Sequence, residues 1–170
     1  LAALIALGVW QSQRAGWKAD LIAQFEQAAK AQPLPPETAL CEQTPKPGEV
    51  VAPPAAIGPS LRVFGHASDG AAGWRLFQSV DLSCGVILAE TGFEPLQIGG
   101  PGGMQPTGPR TPPDRYLVET WPAKPLMAAE NAPSTNEWHW FDAPLMASTL
   151  QAAPLNAAFI LTPLSGRPDF

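Results

Sequence analysis

The chain has little charge and few cysteines, histidines and tyrosines, and these shortages exclude several classes of protein. Charged residues make up 15% of the 170 residues, whereas an ordinary soluble domain has ~25%. The net charge of −5 argues against a nucleic-acid-binding protein, because such proteins carry a clustered basic face. Two cysteines alone do not form a structural zinc site, which usually has four Cys or His ligands. The glycine-rich run at residues 99–103 is followed by neither a helix nor a lysine, so it is not a phosphate-binding loop.

The residues that are abundant indicate one folded domain rich in loops and strands. Hydrophobic residues make up 45% of the chain, which excludes disorder throughout, and the length suits one domain with a real core. The 21 prolines exclude a helical bundle, because proline interrupts helices and is typical of loops. Six tryptophans beside one tyrosine favour contact with a membrane surface, where the amphipathic indole ring is enriched.

The first 32 residues are predicted to form the end of a transmembrane helix and its amphipathic extension. Residues 1–7 are wholly apolar but too few to cross a bilayer, which takes ~20 residues, so the chain is expected to begin inside such a helix. Trp10 and Trp17 lie where an aromatic belt is expected, and Arg14 and Lys18 can reach lipid phosphates. The alternative is a soluble helix whose core face carries tryptophans. The predicted apolar stripe consists of Leu7, Trp10, Trp17, Leu21 and Phe25.

The rest of the chain is predicted to form a small β-rich domain after a connector. Residues 33–60 are a Pro-rich connector, and residues 61–170 form the β-rich domain. The fold class is therefore α+β and mainly β, with a small antiparallel curved sheet or barrel of five to six strands and one short helix. Asp142 is the expected N-cap of that helix, which ends near Leu150, and Gly92 is expected at a bulge. The strands are predicted at residues 60–67, 74–82, 85–90, 115–121, 138–141 and 157–163, with a loop at 98–114.

The reactive side chains of the sequence do not form a recognisable catalytic or metal site. Cys41 and Cys84 either pair in a disulfide, worth about 4 kcal/mol in the chain-entropy model, or remain two free thiols. Cys84 could in principle act as a nucleophile beside His66, but nothing local supports this. His66 and His139 are expected to be ordinary histidines, not ligands of a metal or haem iron. From its residues alone the chain is predicted to be a membrane-tethered, β-rich domain that is not an enzyme.

Three stretches of the sequence resemble the surfeit locus protein 1 family, in chain order from end to end. "LGVWQSQRAGWKADLI" resembles the LGxWQxxRxxWKxxLI signature at the first membrane helix of the family, and "NEWHWFDAPLMAS" is similar to a later aromatic stretch. In "GVILAETGFEP", Glu90 and Thr91 replace a polar-basic pair, whereas the rest of the stretch fits. The matching positions are Leu7, Gly8, Trp10, Gln11, Arg14, Trp17, Lys18, Leu21, Ile22, Gly92, Phe93, Pro95, Asn136, Trp138, Trp140, Asp142, Met146 and Ala147.

The resemblance implies an inner-membrane assembly factor for haem-copper cytochrome c oxidase, of bacterial type and truncated before its second membrane helix. Family members have two membrane helices that flank a domain in the periplasm or intermembrane space, and they are thought to handle haem A. The implied partners are the oxidase core subunit, the lipid bilayer and haem A synthase, with no nucleic acid. The haem-linked histidine of the family lies in the second helix, so no haem ligand is expected in this chain.

Two hypotheses compete for three of the matching positions in the first helix. Trp10, Gln11 and Arg14 could form part of a groove in which a haem propionate meets Arg14. The alternative is that these residues anchor the helix at lipid headgroups. At the level of function, the alternatives are a structural scaffold of the oxidase that does not bind haem, and a hydrolase that uses Cys84 or a serine.

Overall fold

The computed structural model describes residues 2–30, 32–67, 70–96 and 113–164. The chain divides into two units, a helical unit of residues 1–32 and a sheet unit of residues 33–169. The predicted loop at residues 98–114 lies almost entirely outside the described residues. The side chains of Leu21 and Phe25, two members of the predicted stripe, also lie outside them.

The helical unit is one continuous helix, α1, from Ala2 to Lys30. Helix-favouring Ala, Leu, Gln and Lys outweigh the cost of Gly16, about 1 kcal/mol against alanine. The helix ends just before the prolines at residues 33–36, which cannot continue it. In the parts of the chain that the structure describes, none of the helices is both long enough and apolar enough to cross a membrane.

Within the described residues of the sheet unit, seven strands form one mixed sheet. The strands are β1 (Val50–Val51), β2 (Ile57–His66), β3 (Ala72–Leu82), β4 (Gly85–Pro95), β5 (Tyr116–Thr120), β6 (Glu137–Trp138) and β7 (Leu155–Pro163). Their spatial order is β1-β5-β7-β4-β3-β2-β6, so β4 lies at the centre of the sheet. Three neighbouring strands, β2, β3 and β4, form an antiparallel meander, and the alternating sequence pattern predicts its β2–β3 hairpin.

The described residues form a mainly β structure, as predicted, but the expectation of an antiparallel curved sheet or barrel with five to six strands is wrong. Two strand pairs are parallel, β4 with β7 and β2 with β6, because the chain returns to the sheet through long connections. The sheet is open, and its two edge strands, β1 and β6, are only two residues long. Closing a barrel requires its first and last strands to pair along their length, which these edges do not do.

A bulge interrupts β4 where Gly92 was expected to mark one. Leu76 pairs with Gly92, but the next residue, Phe77, pairs with Glu90. Thr91 is therefore the extra residue in β4, and its hydroxyl donates a hydrogen bond to the carbonyl of Leu76 at 3.4 Å. The bulge reverses the alternation of side chains along this strand.

The segment predicted as a Pro-rich connector contains regular structure. Thr38–Glu42 forms a π-helical turn, and β1 and the start of β2 also fall within residues 33–60. Leu34 donates a backbone hydrogen bond to Val50 and accepts one from Ala52, at 3.1 and 2.8 Å. These bonds hold the segment against the sheet, although its sequence shows no periodic pattern.

Both faces of the sheet bury apolar side chains, and the short helix α2 (Ala143–Leu150) contributes to one of them. The amide of Leu145 donates to the Asp142 carboxylate at 3.2 Å, so Asp142 caps α2 as predicted. Successive residues of β4 belong to different cores because they point to opposite faces. The first core includes Leu61, Val63, Phe77, Val86, Leu88, Trp138, Met146 and Ile160. The second core includes Ala39, Leu40, Val51, Val80, Ile87, Ala89, Tyr116, Val118 and Leu161.

Candidate functional site

The three residues proposed from the sequence for haem or lipid contact, Trp10, Gln11 and Arg14, lie on an exposed part of α1. Trp10 is 52% exposed, and Gln11 and Arg14 are exposed beside it. The Arg14 guanidinium carbon lies 5.3 Å from the centroid of the Trp10 ring, because residues four apart on a helix are neighbours. The pair offers a flat apolar surface and a cation at the same place on the helix.

The charge of Arg14 is available to an external anion. In the described part of the chain Arg14 forms no ion pair, and its contact with an indole ring leaves the guanidinium N–H groups free to donate at the ring's edge. Further along α1, Trp17 is 61% exposed and Lys18 is exposed as well. A phosphate or a carboxylate would satisfy this group, so the geometry fits both hypotheses for the helix.

The structure joins Cys41 to Cys84 in a disulfide, with an S–S distance of 2.01 Å and Cα atoms 5.4 Å apart. The alternative of two free thiols therefore does not hold in this structure. The bond connects the π-helical turn to the turn between β3 and β4. Because a disulfide sulfur carries no thiolate, Cys84 lacks the group that the hydrolase hypothesis assigned to it.

The two histidines are far apart in the sequence, but both lie beside the Phe64 ring on one surface of the sheet. Phe64, His66, Trp74 and His139 form a cluster of rings, which we call the aromatic–histidine cluster. The centroid of the Phe64 ring lies 6.2 Å from that of His66 and 6.0 Å from that of His139. Trp74 completes the cluster, with its ring 5.7 Å from Phe64 and 5.9 Å from His139. Phe64 is 38% exposed and His66 is exposed.

The strand register explains most of this cluster. Phe64 and Trp74 are directly opposite each other in β2 and β3, and cross-strand partners share a face of the sheet. His66 follows on the same face two residues along, whereas His139 comes from the chain just after β6, whose Trp138 pairs with Val63. The alternation in β2 was visible in the sequence, but the parallel pairing that brings His139 close was not.

An ion pair extends the aromatic–histidine cluster across three strands. Arg62 contacts the carboxylate of Glu94 at 3.1 Å, and its guanidinium carbon lies 5.0 Å from the centroid of the Trp74 ring. The side chains of Arg62 and Glu94 are 34% and 51% exposed, so the pair contributes at most about 1 kcal/mol to stability. Its effect is to present both a cation and a carboxylate beside the exposed rings.

The arrangement of the rings favours contact with another surface over catalysis. The rings contact one another edge to face or tilted, with interplanar angles of 46° to 75°. Among the described residues, no group of three or more His, Cys, Asp or Glu side chains could hold a metal ion. Exposed aromatic rings beside charged groups are typical of protein interfaces.

The two residues that depart from the family pattern are engaged inside the sheet. Glu90 contacts the Arg75 guanidinium at 2.7 Å, with both side chains largely buried, and Thr91 donates to the carbonyl of Leu76. Burial raises the pKa of Tyr116 above its ordinary value of 10.0, and the negative charge of Glu90 raises it further. Glu90 and Thr91 thus have structural partners at the β4 bulge.

Comparison with known proteins gives one clear result. The sequence model of the SURF1 (surfeit locus protein 1) family matches residues 1–168. The matched range includes α1, both cores and the aromatic–histidine cluster. A search among curated proteins finds no match.

Proposed function

Because the chain belongs to the SURF1 family, we propose that it is a non-catalytic assembly factor for haem-copper cytochrome c oxidase. The observation that carries the proposal is the match of the family model over residues 1–168, together with the exposed, stacked Arg14 and Trp10 of the signature in α1. The partner is the oxidase core subunit, with haem A synthase as the source of the haem. The protein acts at the inner membrane, with the sheet unit in the periplasm or intermembrane space.

Lipid contact by α1 is supported by the large apolar side chains that the helix exposes. Leu7, Val9, Trp10 and Trp17 are each at least half exposed, and fully burying one such side chain is worth about 1.5–3 kcal/mol. Exposing four such side chains of one helix to water is unfavourable. Arg14 and Lys18 are then the cations that lie at the level of the headgroups.

Haem A handling requires groups for the propionates and for the iron, and α1 supplies only the first. The Arg14 guanidinium suits a propionate, because Arg–carboxylate pairs are strong and directional, and Trp10 and Gln11 are beside it. The helix has no histidine, since His66 and His139 both belong to the sheet unit. We therefore assign α1 a contact with the porphyrin edge and no axial ligand.

The haem hypothesis is tested by comparing Arg14→Ala with its matched control Lys18→Ala in the full-length protein. Haem A co-purified from membranes is measured by absorption, and membrane insertion by flotation with vesicles. Arg14→Ala loses a charge-assisted hydrogen bond worth about 1.5–3 kcal/mol, which lowers haem affinity about 10- to 100-fold. The haem affinity of Lys18→Ala stays within about twofold of the wild-type value, because Lys18 is assigned no hydrogen bond to haem. If Arg14→Ala retains as much haem A as Lys18→Ala, the propionate contact is refuted and headgroup anchoring is favoured.

A scaffold that binds the oxidase without haem is the second candidate function. It is favoured by the aromatic–histidine cluster, which exposes Phe64 and His66 beside the Arg62–Glu94 ion pair. Both functions predict that oxidase subunits are recovered with the protein from membranes. Only the haem-handling function predicts the absorption of haem A in the recovered material.

A further inference from the structure

The Cys41–Cys84 disulfide lies where the backbone departs from regular structure. Cys41 belongs to the π-helical turn Thr38–Glu42, and Cys84 belongs to the turn between β3 and β4. Helices of π type are rare and occur frequently at functional sites. The bond therefore links an unusual helical turn to the end of a hairpin, at the margin of the sheet.

Noncovalent contacts also hold residues 34–42 to the sheet, and at the start of the segment these are the backbone hydrogen bonds of Leu34 with Val50 and Ala52. Ala39 and Leu40 are buried in the second core, but Ala39 has almost no side chain to bury. The carboxylate of Glu37 accepts hydrogen bonds from the amide of Ser83 at 3.1 and 3.3 Å, in an exposed position where water competes for both groups. The disulfide thus adds a covalent link to the noncovalent contacts that hold this segment to the sheet.

We propose that Cys41–Cys84 is a redox modification site at which a dithiol reductant releases residues 34–42 from the sheet. As a residue Cys84 is exposed, although its sulfur lies 3.6 Å from the carbonyl of Leu40, and Cys41 is partly buried, so we place the attack of an incoming thiolate at Cys84. A new S–S bond forms between the reductant and Cys84 as the Cys41–Cys84 bond breaks. Cys41 leaves as a thiolate and takes up a proton.

The second thiol of the reductant completes the reaction. Its thiolate attacks the mixed disulfide, closes a disulfide within the reductant, and displaces Cys84, which takes up the second proton. The reductant is oxidised by two electrons, and the cysteine pair is reduced by two. A dithiol of the Cys-x-x-Cys class provides both thiols in one molecule, and so does dithiothreitol.

Reduction is expected to loosen residues 34–42 more than the centre of the sheet. After the bond is broken, the segment retains the two backbone hydrogen bonds of Leu34 at its start, the burial of Leu40 and the exposed Glu37–Ser83 contact. Ile87 is 1% exposed and pairs with Val80 of β3, and its strand β4 lies between β3 and β7 at the centre of the sheet. Local opening therefore costs less free energy at residues 34–42 than at β4.

Amide hydrogen exchange on the whole chain, oxidised and after complete reduction by dithiothreitol, tests the proposal. The Ala39 amide, which donates to the carbonyl of Pro35 at 3.1 Å, reports on the segment, and the Ile87 amide reports on the sheet. We expect reduction to accelerate exchange at Ala39 at least about tenfold more than at Ile87, because only the segment opens locally. The double variant Cys41→Ser/Cys84→Ser should show the reduced pattern and no response to dithiothreitol.

Three results would overturn the proposal. If exchange at Ala39 does not change after full reduction, the bond is a passive brace. If Ala39 and Ile87 accelerate equally, both amides exchange through the same opening of the sheet unit, and reduction releases no segment. If dithiothreitol reduces the bond only at urea concentrations that unfold the sheet, measured by thiol titration, Cys84 is not accessible in the folded protein.

Discussion

Two phenylalanines on neighbouring strands provide a matched test of which aromatic residues form the core and which form a free surface. Phe77 in β3 is fully buried in the first core, and its ring meets that of Phe141 edge to face, with centroids 5.1 Å apart. Phe64 in β2 is 38% exposed in the aromatic–histidine cluster. Replacing either residue by alanine removes the same atoms, so the difference in cost reports on the surroundings.

The expected costs differ because only one substitution leaves a closed cavity. Phe77→Ala loses the full transfer free energy of the ring and creates a void, which typically costs about 3–5 kcal/mol. Phe64→Ala loses only the buried part of its ring, about 1–1.5 kcal/mol, and its partly exposed ring contacts with Trp74, His66 and His139, together about 0.5–1 kcal/mol. The space that remains is open to water, so no cavity term is added. We expect Phe77→Ala to cost about 2 kcal/mol more than Phe64→Ala.

Urea unfolding followed by circular dichroism, with the disulfide intact, measures both free energies. The slope of the unfolding free energy against urea must be the same in both variants for the midpoints to be compared. If the two substitutions cost the same within about 0.5 kcal/mol, Phe64 belongs to a core. The aromatic–histidine cluster is then not available to a partner, and the scaffold function loses its structural support.

Two further perturbations test other parts of the structure. Replacing both Cys41 and Cys84 by alanine opens a loop with a sequence separation of 43. The chain-entropy model predicts that this lowers the free energy of unfolding by about 4 kcal/mol. A loss below about 1 kcal/mol, measured by urea unfolding, would contradict the prediction. For Tyr116, the raised pKa means that the folded state holds the phenol proton after the unfolded state has lost it. Its contribution to stability is therefore complete below pH 10 and is lost as the pH rises through the pKa of the folded state. Unfolding measured on both sides of pH 10 should show that Tyr116→Phe lacks this alkaline loss, and parallel pH profiles for the two proteins would refute it.

The sequence predicts the local elements of this fold better than their arrangement. The alternation of Arg62, Phe64 and His66 predicted β2, and Asp142 before Pro144 predicted the start of α2, because these signals lie within a few residues of each other. The insertion of β7 between β4 and β5 leaves no such local signal. It depends on burial across the whole sheet, so the open mixed topology could not be predicted.

The candidate surfaces show the same distinction between local and long-range information. Arg14 and Trp10 are four residues apart, and a helix alone brings them into contact. His139 comes close to Phe64, which also contacts His66, because β6 pairs with β2 in parallel, and a two-residue strand does not reveal this pairing in advance. Leu40 is buried in the second core although it lies in a stretch rich in proline and alanine, where composition indicated only a connector.

The central claim is that this SURF1-family protein assists the assembly of cytochrome c oxidase. The most direct measurement is the amount of assembled oxidase in membranes of cells that lack the gene, from the oxidase absorption band and turnover, with another respiratory complex as the control. We predict a loss of assembled oxidase of several-fold, restored by the wild-type gene, and no change in the control complex. An unchanged amount of active oxidase would contradict the claim.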